Sequence, residues 1–246
     1  MIFSDAHIHI AEISHWQPFD GNDSFLPVCA SAHTQEDFLQ VEKLLGSKHL
    51  CKKTFGIHPQ SLDTELLPFL ESLIRENRIS AIGECGFDFF PEFVASSEEQ
   101  KNLWKIQLNL AQENSLPLVI HCRKALPQIF AYSDELKSLP SVIFHSWAGS
   151  SIEAMALLQR GVNAFFSIGK QVLNGNKRVI QSASQLPLDR ILCETDAPYQ
   201  TLKNESESLA SDIRDVYRKI AELRQISTEV LSSEILKNFE KSFKNN

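Results

Sequence analysis

The chain has 246 residues, of which 43% are hydrophobic, and this size fits one α/β barrel of about 250 residues or two small domains. Its net charge of −7 argues against nonspecific coating of duplex nucleic acid by a basic face. Five cysteines without C-x-x-C spacing indicate neither a disulfide framework nor a zinc knuckle. A strand-like run follows Met1 directly and no apolar stretch reaches membrane-spanning length, so we expect a cytoplasmic protein without a signal peptide.

Eight short apolar runs along the chain are typical of strands that are buried on both faces. They are rich in Ile, Val, Leu and Phe, and they lie near residues 2–9, 25–31, 53–58, 79–86, 116–122, 141–147, 163–169 and 191–197. Parallel strands with this pattern need a crossover connection, most often a helix, between each pair.

Stretches with helical spacing of apolar residues lie between these runs. Thr34 and Ser150 begin two of them as capping residues, and Ser97 with Gln100 predicts a capping box at a third. Less distinct helices are predicted over 64–77, 125–138, 176–185, 208–223 and 228–241. The alternation predicts a TIM (β/α)8 barrel with additional C-terminal helices, and the absence of any linker or composition step predicts a single domain over 1–246.

Metal-binding residue types recur where the predicted strands end. The C-terminal ends of the strands in such a barrel converge on one face, where active sites lie. A mixed set of imidazoles and carboxylates gathered there would suit a divalent cation. The candidate ligands are His7, His9, Glu84, His121, His145 and Asp196.

The four histidines differ in how strongly each one points to a metal. His7 and His9 are two residues apart on a strand, so both side chains project to one face and can bind one ion. An isolated H-x-H pair is weak evidence, but its position at the end of the first strand strengthens it. His121 and His145 could each be a core histidine, yet their equivalent positions on consecutive strands favour ligands.

Two carboxylates are candidates for catalysis as well as for metal binding. Glu84 could bridge a pair of metals, or it could be an ordinary salt-bridged group. Alternation along the last strand puts Glu194 and Asp196 on the same side, with Asp196 nearer the mouth. A carboxylate there can orient a water molecule and take its proton, although a helix N-cap is the alternative for Asp196.

Three further residues are candidates for binding the substrate. Arg123, two residues after His121, is placed for bidentate contact with an anionic oxygen, and Lys170 at the end of the seventh strand is a weaker case of the same kind. Surface ion pairs are the alternative for both cations. His58 could bind substrate or steer protons, or it could be a loop histidine held by Pro59.

Six ordered motifs from Ile2 to about Tyr199 resemble those of the TatD family of metal-dependent deoxyribonucleases, within the amidohydrolase-like barrels. The motifs are Asp5-x-His7-x-His9, Gly56-Ile57-His58-Pro59, Gly83-Glu84-x-Gly86-Phe87-Asp88, His121-x-Arg123-x-Ala125, His145-x-x-x-Gly149 and Glu194-Thr195-Asp196-Ala197-Pro198-Tyr199. The resemblance implies a TIM barrel with two divalent metals and hydrolysis of phosphodiester or related ester bonds by activated water.

The resemblance also implies how the ligands are shared between the two metals. His7 and His9 would hold one metal with Asp196, His121 and His145 would hold the other, and Glu84 would bridge them. Imidazole and carboxylate accept Zn²⁺, Mn²⁺ and, less readily, Mg²⁺.

The chain departs from the family pattern near the substrate mouth. Phe89 stands at a usual tyrosine position, the usual Cys-Phe-Ser after His145 reads Ser146-Trp147-Ala148, and the loop 200–208 has two glutamates and one lysine where a basic stretch is usual. The leading function is a 3'-5' exonuclease-like phosphodiesterase acting on single-stranded DNA or short oligonucleotides. A hydrolase of a small-molecule ester, amide or lactone is the alternative enzyme, and a barrel that binds metal or a partner without catalysis is the non-enzymatic one.

Overall fold

Eight parallel strands form one sheet in this computed structural model, which describes residues 1–17, 26–46 and 50–244. Each strand pairs with the next one along the chain. The strands are β1 (Asp5–Ile8), β2 (Val28–Ala32), β3 (Lys52–Phe55), β4 (Ala81–Asp88), β5 (Leu118–Arg123), β6 (Val142–Phe144), β7 (Ala164–Ile168) and β8 (Ile191–Cys193). The sheet curls back on itself, because Asp196 N donates to His7 O at 3.0 Å and His9 N donates to Ala197 O at 2.8 Å. The predicted TIM barrel is confirmed.

Helices follow β2 to β8 and cover the outside of the barrel. They are α1 (Gln35–Leu45), α2 (Leu67–Arg75), α3 (Ser97–Glu113), α4 (Leu126–Ala131), α5 (Ser133–Leu136), α6 (Ser151–Gln159), α7 (Lys177–Gln185), α8 (Ile213–Arg224) and α9 (Thr228–Ser242). Thr34 and Ser150 cap α1 and α6 as predicted. The predicted helix 125–138 is divided at Tyr132 into α4 and α5. None of the helices in the described residues has the length and apolarity needed to span a bilayer.

The first βα connection differs from the predicted regular alternation. Its described part contains a single 3-10 turn, Ile10–Glu12, before β2. Residue 25, the first residue of the predicted strand 25–31, lies outside the described residues, and β2 begins at Val28.

The last helix closes the barrel at the end opposite to the predicted site. Side chains near the start of seven strands form an inner apolar cluster, and Phe239 of α9 packs against it together with Phe243, which directly follows α9. The Asn238 side-chain amide fixes α9 there by donating to Leu188 O at 2.8 Å and Ile191 O at 2.9 Å. Since α9 covers this end, ligands reach the barrel from the opposite end, where the strands have their C-terminal ends.

The predicted capping box at the start of α3 is wrong. Ser96 rather than Ser97 is the N-cap residue, and it makes no side-chain capping bond. Gln100 is buried instead, where its side-chain oxygen accepts from Asp88 N at 2.9 Å and its amide donates to Asp88 O at 3.0 Å. The helix is therefore tied to the last residue of β4, next to the site, and this contact satisfies a polar group on the buried face.

Candidate metal centre

The structure brings the predicted ligand residues together at the C-terminal end of the barrel. The Nε2 atoms of His7 and His9 lie 3.2 Å apart. Asp196 Oδ1 lies 3.3 Å from His9 Nε2 and 3.6 Å from His7 Nε2. Together with His121, His145 and Glu84, these three residues line a concave site that we call the cup. On its other side, His145 Nε2 lies 3.3 Å from His121 Nδ1.

The carboxylate of Glu84 lies at the centre of this cup and is almost fully buried. Its Oε1 atom faces three histidines: it is 3.0 Å from His33 Nε2, 3.1 Å from His7 Nε2 and 3.5 Å from His9 Nε2. These contacts group His33 with the two histidines of the first strand on one side of the carboxylate.

The other oxygen of Glu84 faces a second group of imidazoles. Glu84 Oε2 is 2.9 Å from His145 Nε2, 3.5 Å from His121 Nδ1 and 3.8 Å from His58 Nε2. One carboxylate thus lies between two sets of nitrogen donors, which is the arrangement that a bridging ligand requires.

Irregularities in the strands aim these side chains. Between Ile82 and Cys85, β4 has one residue more than the facing part of β5, and β1 has a comparable shift between Asp5 and Ile8. Such bulges redirect side chains at barrel rims and beside active sites. Gly83 within the β4 bulge has φ +152°, and a Cβ there would lie 2.5 Å from the Val119 carbonyl oxygen. Glycine therefore lets β4 approach β5 closely enough to bring Glu84 beside the β5 histidine.

Outer carboxylates hold two of the imidazoles from behind. Asp88 Oδ2 lies 3.2 Å from His121 Nε2, and Glu194 Oε1 lies 3.5 Å from His145 Nδ1. Glu194 Oε1 also accepts from Ser146 N at 2.6 Å, which fixes the carboxylate. Histidines that bind metals commonly have such a carboxylate on the second ring nitrogen.

The electrostatics of the cup keep its carboxylates ionised. Burial raises the pKa of Glu84, but His145 and His7 outweigh it and hold this pKa well below its usual range. Burial lowers the pKa of His145, but Glu84 and Glu194 outweigh it and hold this pKa well above the ordinary value. For Asp88, burial raises the pKa, while hydrogen bonds from His121 and Gln60 bring it down to about 2. Ionised carboxylates are the form that binds a cation, and a cation bound here would displace the proton of His145, because a coordinating imidazole must be neutral.

The donor set fits a divalent cation in two further respects. Ligand atoms of three residues lie within 4.8 Å of one another in each of three overlapping groups, which are His7–His9–Glu84, His7–His145–Asp196 and His58–Glu84–His121. The Nε2 atoms of His7, His9, His33 and His145 each lie within 3.5 Å of an oxygen of Glu84, so four nitrogen donors converge on one carboxylate.

The hydrogen bonds of His58 separate it from the other imidazoles. Its Nδ1 atom accepts from Gln60 N at 3.2 Å. Burial lowers the pKa of His58 well below its ordinary value, so the ring is neutral at pH 7. A neutral imidazole that accepts at Nδ1 carries its proton on Nε2, which here points toward Glu84 Oε2 and His121 Nδ1. His58 is thus arranged as a donor in the cup rather than as a ligand.

His33 is a residue of the cup that the sequence reasoning missed. It directly follows β2, and the side chain is 23% exposed at the rim. The rule applied to the other strands, that a histidine at a strand end points into the cup, would have identified it.

Asp196 reaches the cup by a different route from the one expected. Strand β8 ends at Cys193, so the alternation does not extend to Asp196, whose φ of +57° lies in the left-handed region. This turn directs Oδ1 toward His7 and His9, while Oδ2 accepts from the Gln200 side-chain amide at 3.0 Å. The predicted contact of Asp196 with the metal site is geometrically available, but it depends on this turn and not on alternation along the strand.

The two predicted cations have different surroundings. Arg123 is 47% exposed, and its guanidinium carbon lies 3.8 Å from the centre of the Phe90 ring. Lys170 is 1% exposed, and its Nζ atom lies 2.7 Å from Glu205 Oε2 and 2.5 Å from Asp212 Oδ2. Two carboxylates already neutralise Lys170, so the structure does not support the expected contact between Lys170 and a substrate.

Two cavities meet at the cup. The larger has a volume of about 840 Å³ and extends over the ends of β5, β6 and β7, and the smaller has about 390 Å³ and lies over the histidines. Both are lined by Gln60, His121, His145, Asp196 and Tyr199. A ligand seated at the cup can therefore extend into either cavity.

Comparison with known proteins places the chain in a family. A family model described as TatD related DNase matches residues 4–244. A curated 3'-5' ssDNA/RNA exonuclease TatD from Cronobacter sakazakii is 36% identical over 156 residues, which cover 61% of this chain and 58% of that protein. The protein of the same name from Klebsiella pneumoniae is 31% identical over 166 residues, covering 65% of this chain and 62% of that protein. These matches therefore span about three fifths of the length of the curated relatives.

Solved structures of TatD proteins share the fold over nearly the whole chain. A TatD homologue from Escherichia coli K12 has a TM-score of 0.80 at 24% identity, covering 97% of this chain and 96% of that one. A TatD family hydrolase from Entamoeba histolytica has a TM-score of 0.78 at 18% identity, with 97% and 96% covered. From the match over residues 4–244, with its histidine and carboxylate cup at the expected strand ends, this chain belongs to the TatD related DNase family.

Proposed function

We propose that this protein is a metal-dependent phosphodiesterase that removes nucleotides from the 3' end of single-stranded DNA or short oligonucleotides. The observation that carries the proposal is Glu84, whose two oxygens face two separate groups of imidazoles. Membership of the TatD related DNase family and the names of the curated relatives support the same activity. We further propose that residues 1–246 form one domain and that the protein is cytoplasmic. Its five cysteines are free thiols, as is usual in a reducing compartment.

Two divalent cations are proposed as the cofactors. His7, His9 and Asp196 would hold one of them, His121 and His145 would hold the other, and Glu84 would contribute one oxygen to each. The mixture of imidazole and carboxylate suits Zn²⁺ or Mn²⁺ better than Mg²⁺, which prefers oxygen ligands. When bound, the ions would supply the positive charge that stabilises the phosphoryl transition state and activates water for attack.

The side chains of the cup have separate roles in this proposal. Asp196 would help to hold a metal together with His7 and His9, which its Oδ1 atom faces, and its carboxylate would accept a proton from the attacking water. Glu84 acts by holding both sites at a fixed separation. His58 donates its Nε2 proton toward a substrate oxygen, because its Nδ1 atom is occupied by the Gln60 amide.

Arg123 is proposed to bind a non-bridging oxygen of the scissile phosphate. Its guanidinium is exposed at the cavity wall and stacked on Phe90, so it can meet an anion without losing much side-chain freedom. Asp88 Oδ2 lies 3.8 Å from the guanidinium and keeps it on the side of His121.

The test is digestion of single-stranded oligonucleotides labelled at either end, with the purified protein loaded with Zn²⁺ or Mn²⁺. We expect single-nucleotide release from the 3' end, loss of activity with a chelator, and recovery on readdition of metal. Hydrolysis of carboxyl esters or lactones without any cleavage of phosphodiesters would overturn the proposal, as would metal binding with no hydrolysis at all.

A further inference from the structure

The larger cavity beside the cup carries cations that the metal chemistry does not use. Arg123, Lys124 and Arg178 line it, together with an apolar wall that includes Leu126 and Pro127. Pockets of roughly 300–1,000 Å³ that combine apolar walls with a few polar groups are typical small-ligand sites. At about 840 Å³ this cavity has room for a nucleotide beyond the one at the cup.

Lys124 and Arg178 enter the cavity from different elements. Lys124 follows β5 with φ +54°, and its Nζ atom lies 4.7 Å from the centre of the Phe90 ring. Arg178 lies in the first turn of α7. Both side chains are exposed, and neither forms an ion pair within the described residues. Arg178 acts on Glu153 at longer range: burial raises the pKa of that carboxyl, but hydrogen bonds from Ser150 and the charge of Arg178 outweigh it.

The position of Arg178 is unfavourable for the helix that carries it. The N-terminus of a helix has a partial positive charge, so a cation there destabilises the helix. Asn176 already caps α7 by accepting from the amides of Arg178 and Val179. The Arg178 guanidinium therefore does not stabilise the helix end, and it is free to meet a ligand in the cavity that it lines.

Two acids line the cavity with these cations: Asp196, which belongs to the cup, and Glu153, which is engaged elsewhere. Glu153 lines the cavity, and its Oε2 atom accepts from both N and Oγ of Ser150 at 2.7 Å in the capping box of α6. The three cations outnumber the two carboxylates, so the lining of the cavity has a net positive charge in a protein whose total is −7. The loop 200–208 does not provide this positive charge, because it has two glutamates and one lysine. One of these glutamates, Glu205, is paired with Lys170.

We propose that Lys124 and Arg178 bind a second phosphate of the substrate strand, one that neighbours the phosphate held at the cup. This subsite rests on the proposed phosphodiesterase function and adds a requirement on substrate length. A single phosphodiester fills only the cup and Arg123, whereas a longer strand also reaches the two cations. The enzyme then prefers oligonucleotides with at least two phosphates over a dinucleotide.

The first experiment compares substrates of different length. The double variant Lys124→Gln/Arg178→Gln is assayed on thymidine dinucleotide and on a thymidine hexanucleotide, with Lys177→Gln as the matched control. Lys177 is the neighbouring cation in the same helical turn and does not line the cavity. An exposed charge contact is worth up to about a factor of five, so kcat/KM for the hexanucleotide should fall about tenfold in the double variant. The dinucleotide and the control variant should be unaffected.

The second experiment measures binding without turnover. A fluorescent thymidine trinucleotide is titrated by anisotropy against metal-loaded Asp196→Asn protein, with and without a neutral methylphosphonate at the linkage next to the scissile one. We expect the neutral linkage to weaken binding about tenfold when Lys124 and Arg178 are present and to have no further effect when both are Gln. The slope of log K against log salt should become shallower by about 0.7, the value for one phosphate on a single strand.

The outcomes separate this proposal from the one on which it rests. If wild-type protein cleaves both substrates and the double variant behaves like Lys177→Gln, the subsite is wrong and the phosphodiesterase assignment stands. If wild-type protein cleaves neither substrate, the phosphodiesterase assignment fails. Equal effects of the methylphosphonate on the two proteins would independently reject the contact with Lys124 and Arg178.

Discussion

Replacing Glu84 by Gln should remove one of two bound ions and leave the fold intact. The side chain keeps its shape and one oxygen, but the other oxygen becomes an NH2 group, which donates and has no lone pair for a metal. The NH2 group replaces either Oε1, which is 3.1 Å from His7 Nε2, or Oε2, which is 2.9 Å from His145 Nε2. Loss of a hydrogen bond to a metal-binding side chain already lowers metal affinity about 10–100-fold, and loss of a direct ligand should lower it more.

The assay is metal content per chain after equilibrium dialysis, together with the melting temperature of the loaded protein. An ion present at 100 times its Kd stabilises a fold by about 2.7 kcal/mol, which for a chain of this length corresponds to roughly 5–10 °C. We therefore expect two ions in wild-type protein, at most one in Glu84→Gln, and a lower melting temperature by about that amount. Glu84→Ala should remove more metal than His145→Ala.

Glu194→Gln is the matched control, because Glu194 is also a buried carboxylate just after a strand, but it lies near Nδ1 of His145 and accepts from Ser146 N rather than facing the Nε2 atoms of the cup. It should bind metal about 10–100-fold more weakly and still reach two ions at saturation. Two tightly bound ions in Glu84→Gln, or the same stoichiometry in both variants, would refute the bridging role.

Three further changes test other parts of the site and the fold. Asp196→Asn should lower turnover about 10²–10⁴-fold while elemental analysis still finds metal; near-native turnover would point to another base, with His58 the next candidate. Arg123→Ala should raise KM for phosphodiesters in steady-state assays and leave metal content unchanged, since Arg123 is no ligand. Glu42→Gln should lower the free energy of unfolding by about 1 kcal/mol at pH 7 in urea titrations. Hydrogen bonds from Arg78 lower the pKa of Glu42 in the folded protein, and burial opposes them. Glu42 therefore stabilises the fold at pH values above 4.5, its ordinary pKa. The difference in unfolding free energy between wild type and Glu42→Gln should disappear as the pH falls through the folded pKa.

The barrel and most of its cup could be predicted because both follow from local regularities of the chain. Buried parallel strands appear as short apolar runs, and a polar residue at the end of such a run is easily recognised. Barrel geometry brings those ends to one face, so His7, His9, Glu84, His121 and His145 could be grouped without any contact being known. The same rule also covers His33, which was overlooked although its position after β2 is equivalent.

The substrate cations could not be predicted from their positions in the sequence. Lys170 and Lys124 both follow a strand end, and only the packing of the loop after β8 shows that Lys170 is neutralised by Glu205 and Asp212. Arg178 lies in a helix, where an exposed cation has no distinguishing pattern. Pairing and burial are properties of the surroundings, and they decide whether a charge is available to a ligand.

The positions of the strands, the face on which they end and the types of ligand collected there follow from the local pattern of residues, because periodicity and strand polarity are encoded locally. Which atoms face each other depends on how the elements pack. A one-residue bulge in β4 directs Glu84 between two groups of imidazoles, and a left-handed residue at Asp196 turns its carboxylate into the cup. Both features depend on how neighbouring strands fit together, since register and close approach are set by contacts between elements rather than by the pattern within one of them.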